Sequence, residues 1–237
     1  ASILSEKGKA LKIGFFPLSA TPVAIPEGYT IVVANSMVVS AKTEASRVRF
    51  NLLPAACEIA RAMMVKVMGL ENESIERLGD IYYKYGRVET LRGHEKTFKQ
   101  KLYTKQEVAE FLDLTLEEAE KKFYTARSGE PLPSPVEGLP IAARARHVFS
   151  EAIRVEESVK VIEAGDGEAF GRRMNGSWIS CRDDFEISHP SLEKLVDIAR
   201  EAGSSGSRLT GAGWGGCTVH LVADNKVDAV LDALMEK

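Results

Sequence analysis

The chain has 237 residues, 44% of them hydrophobic and 27% charged, enough to bury a sizeable core in one large domain or in one domain with part of another. Its 31 basic and 34 acidic residues leave a net charge of −3, so no field of either sign favours nucleic acid or an anionic membrane, and small-molecule partners are expected. Cys57, Cys181 and Cys217 stand far apart with no CxxC spacing and no histidine cluster beside them, which predicts a reduced, cytoplasmic compartment and no structural metal. No run of 18 apolar residues occurs, and the first eight residues have the form of neither a signal nor a transit peptide.

Those first residues read as the last turns of a helix, with apolar Ile3 and Leu4 leading into Glu6 and Lys7 and a stop at Gly8, so the chain is expected to begin inside an element. Three β-like runs follow, Leu11 to Phe16, Thr21 to Ile25 and Thr30 to Asn35, and their short connections favour antiparallel pairing. From Thr43 to Met68, apolar Val48, Leu52, Ala56, Ile59, Met63 and Val67 recur at helical spacing, with Pro54 expected to bend or restart the helix. Residues 69–138 are more polar and irregular and are expected to form an insertion or arm. They hold short helices at Lys105 to Asp113 and Leu116 to Ala126, and the pairs Thr104 with Glu107 and Thr115 with Glu118 have capping-box spacing. Ser128 to Pro140, with four prolines, reads as a loop.

A long helix is predicted where Ile141, Ala145, Val148, Ala152, Val155, Val159 and Ile162 alternate spacings of four and three, ending at Gly165. Further helices are expected at Gly167 to Ser180 and at Pro190 to Ala202, the latter burying Leu192, Leu195, Val196 and Ala199. Ser207 to Val222 then holds a β-like entry, a glycine-rich stretch and the strand Cys217 to Val222, before a last helix carrying Val227, Val230, Leu231 and Leu234. Helices and strands that do not strictly alternate define an α+β class, an antiparallel sheet packed against helices.

The stretch Gly206 to Val219 has the strongest chemical content. Four glycines among the six residues 211–216 cost backbone entropy, and their use is positive φ or close backbone approach. The spacing fits neither the Rossmann G-x-G-x-x-G nor the Walker pattern, and two readings remain, a packed bend or a phosphate-binding concavity. Arg182, Asp183 and Asp184 are adjacent and point to different faces, which disfavours a metal pair; His147 is expected to pack within its helix, and His189 and His220 lack metal-ligand spacing. Cys181 and Cys217 read as small buried apolar residues.

The segment G-S-R-L-T-G-A-G-W-G-G-C-T-V beginning at Gly206 resembles the third signature motif of the galactokinase and N-acetylgalactosamine kinase branch of the GHMP small-molecule kinases. Arg146 to Ala152, Ser180 to Glu186, Pro190 to Glu193 and Ala34 to Ser36 follow in that family's order, so the resemblance covers essentially the whole chain and is weakest in the middle. It implies a two-domain kinase with its site in the cleft, of which residues 10–237 are the C-terminal domain and residues 1–9 a sliver of the N-terminal one. It implies ATP and Mg as cofactors and a sugar phosphorylated at its C1 hydroxyl. The partners it implies are the sugar, ATP and the N-terminal domain of the same kinase.

The family's phosphate-holding Gly-Leu-Ser-Ser-Ser-type loop, its Gly-Glu-His-x-Asp sugar segment and its Met-Asp-Gln base have no counterpart here, so no catalytic residue is expected within the chain, which should be inactive alone. By resemblance, Gly211, Ala212, Gly213, Trp214, Gly215 and Gly216 form the loop near the phosphates and sugar. Lys42 stands at the place of a nucleotide-contacting lysine, or is a solvated lysine at a strand end; Ala41 replaces an asparagine beside it. Phe50 matches an aromatic lining the sugar site, where phenylalanine marks the N-acetylgalactosamine branch, or is a core aromatic on a helix. Arg182, Asp183 and Asp184 would hold a turn together. A galactose- and ATP-sensing regulator with little catalysis is a further alternative within the family.

Overall fold

The computed structural model describes residues 6, 8–15, 17–39, 44–126 and 128–236. In chain order it comprises strands β1 (Lys9–Phe15), β2 (Leu18–Ala24) and β3 (Tyr29–Asn35), then helices α1 (Glu44–Met68), α2 (Leu78–Thr97), α3 (Lys105–Phe111), α4 (Leu116–Phe123), α5 (Ile141–Glu163), α6 (Gly167–Asp183) and α7 (Pro190–Glu201). Strands β4 (Gly206–Leu209) and β5 (Cys217–Ala223), a 3₁₀ turn at Asp224–Lys226 and helix α8 (Val227–Met235) complete it. The class is α+β, as the sequence predicts. Most of the expected helix end at residues 1–9 lies outside the described residues. No helix is long and apolar enough to cross a membrane among those described.

The chain divides into two compact units. The first comprises Ala1–Ser40, Ile153–Arg182 and Glu186–Lys237. Here β1 and β2 form an antiparallel hairpin with Lys9 opposite Ala24. The strand β3 does not extend that hairpin, contrary to what its short connection suggests; it pairs antiparallel with β5, Val32 opposite His220 and Asn35 opposite Cys217. Pro26 and Gly28, the latter at φ 77, break the run before β3. The sheet order is β3-β5-β4, all antiparallel.

Period-two alternation sends Val32 and Val222 to one face of this sheet. There they pack with Ala199 of α7 and Val230 of α8, flanked by Ala202, Val227 and Leu234. Burial of that apolar cluster is what holds α7 and α8 to the sheet. On the opposite face Gly171 of α6 meets Gly206 of β4 backbone to backbone, while Ile31 and Val33 of β3 stay exposed.

The second unit comprises Ala41–Ala152 and Asp183–Phe185. Helix α1 is continuous through Pro54, with Ala56, Ile59 and Met63 buried as the spacing predicts. Both predicted capping boxes are present: Thr104 Oγ1 accepts the Glu107 N–H at 3.3 Å and the Glu107 carboxylate accepts the Thr104 N–H at 2.7 Å, with 3.2 and 2.8 Å for Thr115 and Glu118. Those carboxylates, holding a backbone N–H each, are shifted below the usual glutamate range.

The stretch read as irregular contains the 20-residue helix α2, which the periodicity does not reveal. Its buried positions are Leu78, Ile81, Tyr82, Thr90, Gly93 and Thr97, half of them polar or glycine, and Gly86 at φ 74 and ψ 177 interrupts the helix. Gly93 leaves room for the Met68 side chain of α1, which a Cβ at that position would strike.

The Gly171–Gly206 contact yields a direct test. A Cβ on Gly206 would lie 2.5 Å from Gly171 Cα and 2.6 Å from its carbonyl oxygen, and both are backbone atoms. Gly206→Ala is expected to cost about 1–3 kcal/mol of unfolding free energy by overpacking, measured by urea denaturation.

Candidate functional site

The glycine-rich loop, residues 211–216, joins β4 to β5, and the Thr210 N–H donating to the Cys217 carbonyl at 3.0 Å closes its base. Five of its six residues have positive φ: Gly211 at 79°, Gly213 at 83°, Trp214 at 55°, Gly215 at 140° and Gly216 at 80°. Close approach explains two of the glycines. A Cβ on Gly213 would strike the Ile187 carbonyl oxygen, and one on Gly215 would lie 2.5 Å from the Val38 carbonyl oxygen. Around Gly211 and Gly216, by contrast, the position of a Cβ is open space.

Hydrogen bonds fix the loop on one side. Ile187 O accepts the Trp214 N–H at 2.8 Å, Val38 O accepts the Gly216 N–H at 2.8 Å, and Gly216 O accepts the Ser36 N–H at 2.8 Å. The Trp214 indole Nε1–H donates to Glu186 O at 3.1 Å. Among the described residues, the N–H groups of Gly211, Ala212, Gly213 and Gly215 meet no acceptor. Successive main-chain N–H groups on such turning backbone are of the kind that can hold an anion, and Gly211 and Ala212 are exposed to solvent.

Beneath the loop, β5 carries a buried polar chain that its sequence did not announce. His220 is fully buried, with Nε2 2.8 Å from Thr218 Oγ1 and Nδ1 2.8 Å from Ser207 Oγ. Ser207 Oγ lies 3.1 Å from Ser204 Oγ, which donates within reach of the Gly206 and Leu221 carbonyls. The alternation Thr218, His220 on a strand leading out of a glycine-rich loop was the available signal. These bonds tie β4 to β5, the two strands the loop connects. Desolvation pushes the His220 pKa down to about 4.

Of the other predicted site residues, Lys42 and its neighbour Ala41 lie outside the described residues. Phe50 sits on α1 and is 54% exposed, so the core-aromatic reading does not hold. It belongs to the second unit, and the loop to the first. Asp184 holds a turn: its carboxylate accepts Arg146 Nε–H and Nη2–H at 3.0 and 2.6 Å, and its carbonyl accepts from Arg144. His147 stacks on Phe185 with ring centroids 4.2 Å apart. His189 caps α7, its Nδ1 accepting the Ser191 N–H at 3.2 Å.

No group of three or more His, Cys, Asp or Glu able to hold a metal exists among the described residues. Cys181 is buried, whereas Cys217 is only partly so; burial pushes the Cys57 thiol up to about 11, far from an activated thiolate.

Residues 158–237, which include the loop and both its strands, match the family described as GHMP kinases C terminal. The chain is 34% identical to the galactokinase of Dictyostelium discoideum over 98% of its own length and 50% of that protein's. It is 32% identical to the galactokinase of Saccharomyces cerevisiae over 99% of its length and 52% of that protein's. The crystal structure of Lactococcus lactis galactokinase complexed with galactose superposes over 98% of this chain and 47% of that one, with a TM-score of 0.63 at 25% identity. The fold is that of a GHMP kinase C-terminal region. Residues 158–237 thus match a GHMP kinase C-terminal segment, and the chain, similar to galactokinases along its length, spans about half the length of the curated relatives it matches.

The buried histidine predicts a pH dependence. Unfolded, it titrates near its ordinary 6.5; folded, near 4, so the neutral form is the one the fold accepts. Its contribution is fully present above pH 6.5 and is lost as pH falls from there towards 4, on the order of 3 kcal/mol in all. His220→Gln should flatten the stability profile between pH 6.5 and 4 relative to the parent, read from denaturation midpoints across that range.

Proposed function

We propose that the protein carrying this chain is a galactokinase, transferring the γ-phosphate of ATP to the C1 hydroxyl of galactose, with this chain as its C-terminal part. In this reading residues 10–237 are the C-terminal domain and residues 69–138 a family-variable arm. The observation that carries it is the similarity to galactokinases over 98–99% of the chain, and the unmet N–H groups at Gly211, Ala212, Gly213 and Gly215 support it.

Phosphoryl transfer depends on positioning and on stabilising charge spread over the phosphoryl oxygens. The loop supplies fixed N–H dipoles without a side chain in the way, and its two buried glycines let it sit on the Val38 and Ile187 carbonyls so that those dipoles need no reorganisation. ATP brings Mg²⁺ on its phosphates, as that ion usually binds. The base that takes the sugar proton and the helix end that cradles the phosphates are assigned to the other half of the relatives' length, and the 237 residues alone are expected to turn nothing over. The galactose of the Lactococcus lactis structure is the source of the sugar assignment.

Phe50 favours a second reading, an N-acetylgalactosamine kinase. The ring is exposed and lacks the hydroxyl that a tyrosine would offer a sugar. Steady-state assay of the full-length protein with Mg-ATP and each sugar separates the two. Turnover of galactose supports the first and preference for N-acetylgalactosamine the second, while no turnover of either contradicts both. Phe50→Tyr is expected to move the ratio of kcat/KM values towards galactose by roughly 2- to 10-fold, the range a single hydrogen bond supplies.

A further inference from the structure

Backbone strain in the described residues is not scattered. Four residues other than glycine have positive φ: Met37 at 57°, Asp113 at 55°, Glu186 at 55° and Trp214 at 55°. Three of the four lie on the segments that meet at the glycine-rich loop. Met37 precedes Val38, whose carbonyl receives the Gly216 N–H, and Glu186 precedes Ile187, whose carbonyl receives the Trp214 N–H. Trp214 is itself inside the loop.

A bulky side chain at positive φ is disfavoured, whereas glycine occupies that region freely. Four of the six loop residues are already glycine, so a fifth would remove the strain at 214. The tryptophan must therefore be there for what its side chain does, and the structure shows what that is. The indole Nε1–H reaches Glu186 O at 3.1 Å while the main-chain N–H of the same residue reaches Ile187 O at 2.8 Å. Two donors of one residue thus grip two consecutive carbonyls of the chain between α6 and α7. At the far end the loop is held by Gly216 on Val38 and Ser36; at this end one bond would leave residues 211–214 hinged on a single carbonyl, and two fix their orientation. Core packing does not account for the residue, which is only partly buried, unlike the fully buried Trp178 of α6.

We propose that Trp214 is a positioning residue, pinning the glycine-rich loop to the Glu186–Ile187 carbonyls so that the unmet N–H groups of Gly211, Ala212, Gly213 and Gly215 are held in one arrangement. This rests on the reading of those N–H groups as a phosphate seat. A loop with four glycines samples many conformations unless restrained, and an anion seat that must be ordered at each binding event binds more weakly and stabilises less charge. Strain at Glu186 and Trp214 is the cost of presenting both carbonyls and both donors to one another.

The test compares the full-length protein with Trp214→Phe, which keeps a ring and loses the indole N–H, and Trp214→Gly, which also relieves the strained backbone. Two readouts are taken: amide hydrogen exchange across residues 211–216, and kcat and KM for ATP at saturating sugar. Exchange in the loop is expected to rise at least tenfold in Trp214→Phe and further in Trp214→Gly, with kcat/KM for ATP down tenfold or more while denaturation midpoints stay near the parent's. A stability role alone would lower the midpoints with the activity. Loop exchange unchanged in both variants overturns the proposal, as does raised exchange with kcat and KM both unaltered. If the parent protein phosphorylates no sugar, the kinase reading fails on its own, and the exchange comparison still decides whether Trp214 pins the loop.

Discussion

Two main-chain carbonyls, Val38 O and Ile187 O, decide the shape of the glycine-rich loop. Each receives an N–H of the loop and each lies where a Cβ at Gly215 or Gly213 would have to go. The loop can touch both only because those positions are glycine. With the Trp214 and Gly216 amides occupied by these carbonyls, the intervening and preceding amides are left without protein partners. Unsatisfied N–H groups gathered in one loop are costly in a folded protein unless something accepts from them. In the proposed reading, the same contact that sets the geometry of the loop leaves these N–H groups to meet an anion.

Three distant parts of the chain must be in register for this to happen. Val38 is placed by β3, whose pairing with β5 crosses more than 180 residues of sequence. Ile187 is placed by the connection between α6 and α7, its own N–H bonded to the Cys181 carbonyl at 3.0 Å. The loop itself is placed by β4 and β5, tied together beneath it by Thr218, His220, Ser207 and Ser204. Glycine recurs where these parts close on one another, at Gly171 and Gly206 as well as within the loop. Such an assembly tolerates added volume poorly, since the obstacles are backbone atoms and cannot move aside.

Much of this was legible in the residues, for identifiable reasons. Capping boxes at Thr104 and Thr115 are local hydrogen-bond chemistry, so spacing alone announces them. The stripe of α7 and the middle of that of α1 report burial directly, whereas Val67 in the predicted stripe of α1 is 38% exposed, Val155 in that of α5 is 46% exposed, and α5 buries Phe149, which its stripe omits. The helix α2 was hidden because it buries Thr90, Gly93 and Thr97 and breaks at Gly86, so neither an apolar period nor an uninterrupted run marks it. Pairing of β3 with β5 was hidden because partner choice depends on long-range packing, which no window of sequence contains. For the site, the glycines of residues 211–216 stood out, but which were needed for close approach and which for open space depends on Val38 and Ile187. The exposure of Phe50 was likewise undetermined, since a helical aromatic has the same local pattern on either face.

The proposed phosphate seat is the set of amides left unbonded by the Val38 and Ile187 carbonyls. Amide hydrogen exchange resolved to single residues, on the full-length protein with and without a non-hydrolysable ATP analogue, tests it most directly. New protection is expected at Gly211, Ala212, Gly213 and Gly215, with little change at Trp214 and Gly216, whose N–H groups are already bonded. Saturation with nucleotide that leaves those four amides exchanging as before would contradict it.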